Sequence, residues 1–415
     1  MRVHRKLSRR QFARRLTAAV GPLVLPSGVL AAPGRPGAND RIRTGHIGLG
    51  PRGLAHLDGF RDNVVALCDV DANRLEQARH RLGHRIACVA DYRELLQNRN
   101  VDAVVIATPD HWHALQTIHA CQAGKDVYVE QPACRTVAEG LAMAAAVRRY
   151  GRVAQVGSQD ASSDAVQTAI REIAITGPAC RRVVCCCREG NPVGGDPSHS
   201  GEPPAALDWD LWLGPLRWHP YNPDYGHYRF RWMLGMGGGR LCHEGAHALS
   251  AAILCLGRVA VAGRVTVTAK GEAPAEGLYD APTALDVKYA FETSGVSIVW
   301  QQPSSLENAE TRVSFERNGK TSALERNEAG WLADENRAAD DRHRMDWLEA
   351  VRDRRDPAMP IETGVMVARL CALGNLAYRI DRPLEWDPAK SAVVNDEEAN
   401  RLLDEPARGP WQIWR

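Results

Sequence analysis

Apolar and polar positions along this chain switch between two periods. From residue 41 onward, short apolar runs alternate with helical stretches. Arg41–Ile47 ends in an apolar strand, a helical stretch runs on to about Phe60, and Val64–Cys68 is a second buried strand ending at Asp69. Helices are expected at Asn73–Leu82, Asp91–Gln97, His113–Ala123 and Val137–Tyr150, and strands at Asp102–Ala107, Asp126–Val129 and Val153–Val156. Sequential βα units of this length imply a parallel sheet covered on both faces. Farther on, residues 262–269, 285–300 and 311–317 alternate as strands do. The Pro- and Gly-rich stretch Gly190–Pro204 reads as a long loop, and Arg342–Arg352 as a helix that Asp356–Pro360 ends. The division expected is a domain at 41–160 and a second at 161–415.

The first βα turn carries the clearest chemistry. Gly48-Leu49-Gly50-Pro51-Arg52-Gly53 follows the first strand at once, and Asp69 stands 21 residues after Gly48. In a βαβ unit such a run binds a dinucleotide. Gly48 permits the tight turn, Gly50 lets the pyrophosphate approach backbone, and Gly53 lets helix pack on strand. The helix start supplies N–H groups and positive potential for the phosphates. Asp69 can accept hydrogen bonds from both ribose hydroxyls, which favours NAD while leaving NADP open. Ligands on such sheets bind beyond the carboxyl ends of the strands. The cofactor contacts expected there are Gly48, Leu49, Gly50, Pro51, Arg52, Gly53, Asp69, Thr108, Pro109, His111, His113, Glu130 and Gln131. His111 and His113 are read as a loop against the nicotinamide with a helix starting at His113, in preference to a metal pair.

Composition narrows the class. With 44% hydrophobic and 25% charged residues in 415, a disordered, collagen-like or coiled-coil chain is excluded. Eleven cysteines are too dilute for a disulfide-stapled fold, and no CxxC…CxxC zinc spacing occurs. Cys185-Cys186-Cys187 fall in an expected strand, so the outer two share a face, and most cysteines read as small buried hydrophobes. The formal charge of +2 hides a basic leader: Arg2, Arg5, Lys6, Arg9, Arg10, Arg14 and Arg15 taken from 52 cations leave 45 against 50 acids. Nucleic acid is therefore not the expected partner. Ser8-Arg9-Arg10-Gln11-Phe12 precedes an uncharged stretch from Leu16 to Ala32, broken by Gly21, Pro22 and Pro26, with Val29-Leu30-Ala31 as a cleavage site. This resembles a twin-arginine export signal spanning residues 1–31, followed by a linker at 32–40. It makes a poor membrane span, and a periplasmic or secreted mature protein is expected.

GHIGLGPRG, ALCDVDANR, ATPDHWHA, GKDVYVEQP and VGSQ, and later ALDWDLWLGP, GGGRL at Gly237–Leu241, GAH at Gly245–His247 and LGNLAYRI, resemble the Gfo/Idh/MocA oxidoreductases, particularly their exported branch. The resemblance implies an α/β protein: an N-terminal Rossmann domain, then a C-terminal α+β domain with a large, mostly antiparallel sheet. That sheet would bear a small carbohydrate substrate on one face and often an oligomer contact on the other, so a homo-oligomer is expected. It also implies a tightly bound NAD and substrate contacts from Gln159, Arg231, Trp232 and His247. Two departures matter. Gln131 replaces the lysine of the family's Glu-Lys-Pro motif, and none of the six lysines is an evident substitute. His243 stands where the family has aspartate, while His247 keeps the family histidine.

The catalytic set expected is therefore His247 as base, His243 as its partner or second acid, and Gln131 as a hydrogen-bond donor that cannot exchange a proton. The substitutions also spell His243-Glu244-Gly245-Ala246-His247, a literal H-E-x-x-H. Gly245 weakens the helix and no third ligand follows at metzincin spacing, so no metal is expected. Three functions stay open: an NAD-dependent sugar or polyol oxidoreductase, a glycosidase or lyase that recycles NAD, and a non-catalytic NAD- or sugar-binding paralogue. On export the expectation is direct: replacing Arg9 and Arg10 by Lys should hold precursor inside the cell in a fractionation experiment. Mature protein still reaching the periplasm would contradict it.

Overall fold

Small and β-branched residues fill the strands of the first half, and six of them lie side by side. They are β1 (Thr44–Ile47), β2 (Val64–Cys68), β3 (Ala87–Val89), β4 (Ala103–Ile106), β5 (Asp126–Glu130) and β6 (Ala154–Gly157). All pair in parallel, in the order β3-β2-β1-β4-β5-β6. Every residue of β1, β4, β5 and β6 is buried, as a sheet with helices on both faces requires. The computed structural model describes residues 41–413 apart from 84–85, 177–179, 188, 305–310, 318 and 327–332. The leader and linker expected at residues 1–40 lie outside the described residues. Residues 1–42 and Arg43–Arg415 are separate units; in the first only Arg41 and Ile42 are described, without regular structure.

The connecting helices begin where local chemistry starts them. These are α1 (Pro51–Gly59), α2 (Ala72–Leu82), α3 (Tyr92–Gln97), α4 (Asp110–Gln122) and α5 (Val137–Arg149). The side chains of Asp71 and Asp91 accept the N–H groups of Asn73 and Arg93, and Thr136 with Glu139 forms a capping box on α5. One expectation fails here. α4 starts at Asp110, not at His113, because Pro109 sets an extended N-cap and its fixed φ leads straight into the first turn at Asp110. His111 and His113 are therefore helical, not in a loop.

The second half opens with α6 (Asp164–Thr176) and β7 (Cys180–Cys186), then the long loop, α7 (Trp209–Leu213) and α8 (Gly239–Leu256). Strands β8 (Val265–Glu272), β9 (Ala284–Phe291), β10 (Ser297–Gln302), β11 (Thr311–Arg317) and β12 (Lys320–Arg326) follow. Helices α9 (Ala333–Asp353) and α10 (Ile361–Arg379) lead to β13 (Leu384–Asp387), β14 (Ala392–Val393) and α11 (Glu397–Arg401). The described strands form an eight-stranded sheet ordered β12-β11-β7-β10-β9-β8-β13-β14. It is antiparallel except where β7 runs parallel to β10. The alternation at 285–300 is not one strand but a hairpin, since Glu292–Gly295 turns the chain between β9 and β10. The helix expected to start at Arg342 starts at Ala333, its first two turns being too polar to show an apolar stripe.

All eleven cysteines are free thiols, eight of them buried. Cys185 and Cys187 point into the core and Cys186 is half-buried, with β7 held between β10 and β11. No helix among the described residues is long and apolar enough to cross a membrane. Two late helices return to the first sheet. α10 packs against α5, α8, β6 and β8. On α9, His343 lies 3.0 Å from the Val156 carbonyl and 2.8 Å from Ser162 Oγ, and Trp347 meets the rings of Phe60 and Tyr128. The second half thus buttresses the strand ends where a ligand would lie. At the other side, Gly48 has φ +87°, and a Cβ there would come within 2.6 Å of the Ala107 carbonyl oxygen. A Cβ on Gly53 would overlap the Gly48 carbonyl oxygen. Gly53→Ala should therefore push α1 off β1 and cost roughly 1–3 kcal/mol of stability by denaturant unfolding. An unchanged midpoint would show that the turn can relax.

Candidate active site

Beyond the carboxyl ends of β1, β2 and β4 lies a cleft of about 470 Å³. Gly48, Gly50, Pro51, Arg52, Asp69, Thr108 and Pro109 line it, and Trp212, Tyr228 and Phe230 from the second half line its far side. Gly50 caps α1 with no side chain on the first-turn amides, and Pro51 occupies N1, so N–H groups and the positive helix end face the cleft. Asp69 closes the end of β2. Its carboxylate accepts the N–H of Leu49 at 2.6 Å and of Asp71 at 2.9 Å. Burial pushes its pKa up, only partly opposed by those two amides. Such a carboxylate gains from further hydroxyl donors, which a ribose offers. These residues fit a nicotinamide dinucleotide: uncapped amides for its phosphates, a poised carboxylate for its ribose.

A second cavity of about 290 Å³ shares Arg52, Ala107, Thr108 and Arg231 with the cleft. Its remaining wall is Asp110, His113, Glu130, Gln131, Gln159, Asp160, His247 and Asp340. Glu130 ends β5 and accepts from Arg52 Nε (2.9 Å), His56 Nε2 (2.6 Å) and Gln159 Nε2 (2.9 Å). Burial alone would raise its pKa, but Arg52 and His56 outweigh that and hold it well below the usual carboxylate range. Arg52 donates both terminal nitrogens to Asp340 of α9, at 2.9 and 3.2 Å. The next residue, Gln131, places its amide nitrogen 3.2 Å from His247 Nε2. His247 Nδ1 lies 3.3 Å from Asp160 Oδ2. That carboxylate favours a proton on Nδ1 and leaves the Nε2 lone pair facing the cavity. One turn back on α8, His243 Nε2 lies 3.4 Å from Asp110 Oδ2, and burial, with Arg231, His113 and His247 nearby, drives its pKa well down.

Most sequence-derived candidates converge on these two cavities, and five do not line them. Leu49 is fully buried and serves through its backbone. Trp232 packs under the Arg240 guanidinium, 5.2 Å from its ring centre. His111 is buried, with Nε2 2.9 Å from the Trp212 carbonyl, so it anchors α7 instead of facing a ligand. His243 stands behind Asp110. The two histidines of H-E-x-x-H thus engage different carboxylates, and among the described residues no three His, Cys, Asp or Glu side chains group as a metal site. Gly53 packs α1 on the Gly48 turn, and His113 bridges the Thr108 and Pro132 carbonyls at 2.9 and 2.8 Å. Asp110, Asp160, Asp340 and His56 were missed. Asp110 lies within ATPDHWHA and Asp160 follows VGSQ; for Asp340 and His56 the sequence holds no signal, since only the fold brings them to Arg52 and Glu130.

A model of the oxidoreductase family's NAD-binding Rossmann fold matches residues 42–158, and a model of its C-terminal alpha/beta domain matches 192–413. Among solved structures, the WlbA dehydrogenase from Bordetella pertussis, in complex with NADH and UDP-GlcNAcA, superposes with a TM-score of 0.63 at 16% identity, over 83% of this chain and 98% of that one. A myo-inositol dehydrogenase from Corynebacterium glutamicum gives 0.61 at 14%, over 84% and 99%. Both likenesses are of fold. In sequence, the chain is 32% identical over 163 residues to a glycosyl hydrolase family 109 protein of Shewanella pealeana, which covers 32% of this chain and 35% of that protein. With both domain models matched across most of its length, the chain belongs to the Gfo/Idh/MocA oxidoreductase family, with an NAD-binding Rossmann domain before its C-terminal alpha/beta domain.

Proposed function

We propose that the protein is an NAD-dependent oxidoreductase acting on a hydroxyl of a sugar, polyol or glycoside, with His247 as the base. The observation that carries this reading is the His247 imidazole, set between Asp160 and Gln131 in a cavity that opens onto the dinucleotide cleft. NAD bound in that cleft would supply a hydride acceptor where the two cavities meet. The chain's own residues then have simple tasks. Asp160 fixes the imidazole and stabilises it once protonated, and Nε2 takes the hydroxyl proton. Gln131 donates a hydrogen bond, to His247 before substrate enters and to a substrate oxygen afterwards. Arg52, neutralised by Glu130 and Asp340, holds the wall in place without presenting a free charge to the hydride path. The aromatic cover of Trp212, Tyr228 and Phe230 supports a tightly held cofactor, with NADP the less favoured form beside Asp69.

A second reading, a glycosidase or lyase that oxidises its substrate transiently and recycles NAD, is favoured by the similarity to the family 109 glycosyl hydrolases. We place the mature protein outside the cytoplasm on its leader, and assembly through the open face of the eight-stranded sheet.

Three measurements test this. Nucleotide released on denaturing the purified protein should be NAD, and turnover of a glycoside without added acceptor would select the second reading; protein that carries nucleotide yet acts on no carbohydrate would be a binding paralogue. Asp69→Ala should weaken NAD more than NADP in a titration, and equal losses would take the ribose from Asp69. His247→Ala should lower turnover roughly a hundredfold to ten-thousandfold, the usual contribution of a positioned base. Full turnover in that variant would end the assignment.

A further inference from the structure

Asp110 and His243 are not needed to oxidise an alcohol, which releases a proton and requires one base. Yet they form a built arrangement. Asp110 is 3% exposed and lines the substrate-side cavity, while His243 lies behind it. Asp110 Oδ2 and His243 Nε2 are both buried without a hydrogen bond, and they face each other at 3.4 Å. The other ring nitrogen of His243 bonds the Gly237 carbonyl, so it carries the ring's proton and Nε2 presents a lone pair. An ionised Asp110 would leave two acceptors opposed, both buried and without a donor between them. A protonated Asp110 donates its O–H to Nε2 and satisfies both.

We propose that Asp110 is the proton donor of this active site, with His243 as the group that holds its proton in place, so that the cavity gives a proton on one wall while His247 removes one on the other. The surroundings agree. Burial pushes the Asp110 carboxyl up to about 8; Arg231 and Arg135 oppose the shift and Glu139 adds to it, while the two imidazoles nearest the pair, His113 and His247, bear on His243. At neutral pH the proton is thus on the carboxyl, and it is lost as pH rises through about 8. The donor has a use once a neighbouring hydroxyl has been oxidised. Once its first proton has passed to solvent, His247 takes the proton from the carbon beside the new carbonyl, the C–H pair becomes a C=C bond, and the C–O bond beyond it breaks with its pair on the departing oxygen. Asp110 supplies the proton that oxygen takes. One proton is taken and one given, so the cavity's net charge is unchanged; water then adds its oxygen to the carbon that lost the leaving group and gives a proton to Asp110, while His247 returns its proton to the neighbouring carbon.

The inference rests on the glycoside form of the reading above, but the position of the proton does not. Asp110→Asn keeps the shape and still donates an N–H to His243, so it should fold. Infrared difference spectra of wild type minus Asp110→Asn should show the carbonyl stretch of one protonated buried carboxyl at pH 6.5, fading through about pH 8. Its absence overturns the proposal. With methyl glycosides, turnover should fall roughly a hundredfold to ten-thousandfold in the variant, and the alkaline limb near pH 8 should disappear. With 4-nitrophenyl glycosides, whose leaving oxygen needs no proton, the loss should be under about tenfold. Equal losses on both substrates, or none on either, overturn the donor role even where the band is present. A wild-type protein inert to every glycoside would remove the reading beneath the proposal and the donor role with it, while the band would still report the proton on Asp110.

Discussion

The ion pair between Arg52 and Glu130 is the contact on which the site depends. Arg52 belongs to the first turn of α1, beside the glycines that receive a dinucleotide, and Glu130 ends β5 next to Gln131. Asp340 joins from α9, and His56 and Gln159 complete the carboxylate's partners. One arginine thus ties the cofactor turn, the central sheet and a helix 288 residues away in sequence. Arg52 is half-buried and Glu130 buried, so removing the arginine would leave a buried carboxylate without its main counter-charge. The network also keeps Arg52 from acting as a free cation among groups that must exchange protons.

The substitutions at the motif positions make sense within that frame. A lysine at 131 would bring a second cation beside Arg52 and an imidazole. Glutamine keeps the hydrogen bond and removes the charge. On the proposed reading, proton transfer falls to His247, backed by Asp160, and to Asp110, backed by His243. His247 is turned by Asp160 so that its lone pair faces substrate, whereas His243 is turned away by the Gly237 carbonyl and meets Asp110. Two pairs one helical turn apart are thereby set to opposite tasks.

How much of this was legible in the sequence follows from the range of each interaction. The glycine turn, Asp69 and the parallel strands are local patterns, and the structure places them as read. Strand ends and helix starts moved by a few residues where caps decided them, as at Pro109. Gln131 and His243 stood out because they break a motif, and His247 because it keeps its motif's histidine. Asp110 and Asp160 did not, although both adjoin motif residues, because a carboxylate's role here comes from burial and from partners over 80 residues away. Asp340 lies in a polar helix with no apolar stripe to fix its phase, so nothing in the sequence aims it at Arg52. His243 shows the same limit: its place in the motif was visible, but Asp110 in front of it was not.

The central claim is that hydride passes from a carbohydrate carbon to a nicotinamide held beside His247. The most direct measurement is the mass of the nucleotide released by quenching at successive times within a single turnover of a fully carbon-deuterated sugar or glycoside. Nucleotide in the reduced form and carrying one deuterium, lasting or transient, is the result expected. Product formed while the nucleotide carries no deuterium at any time in that turnover would contradict the account.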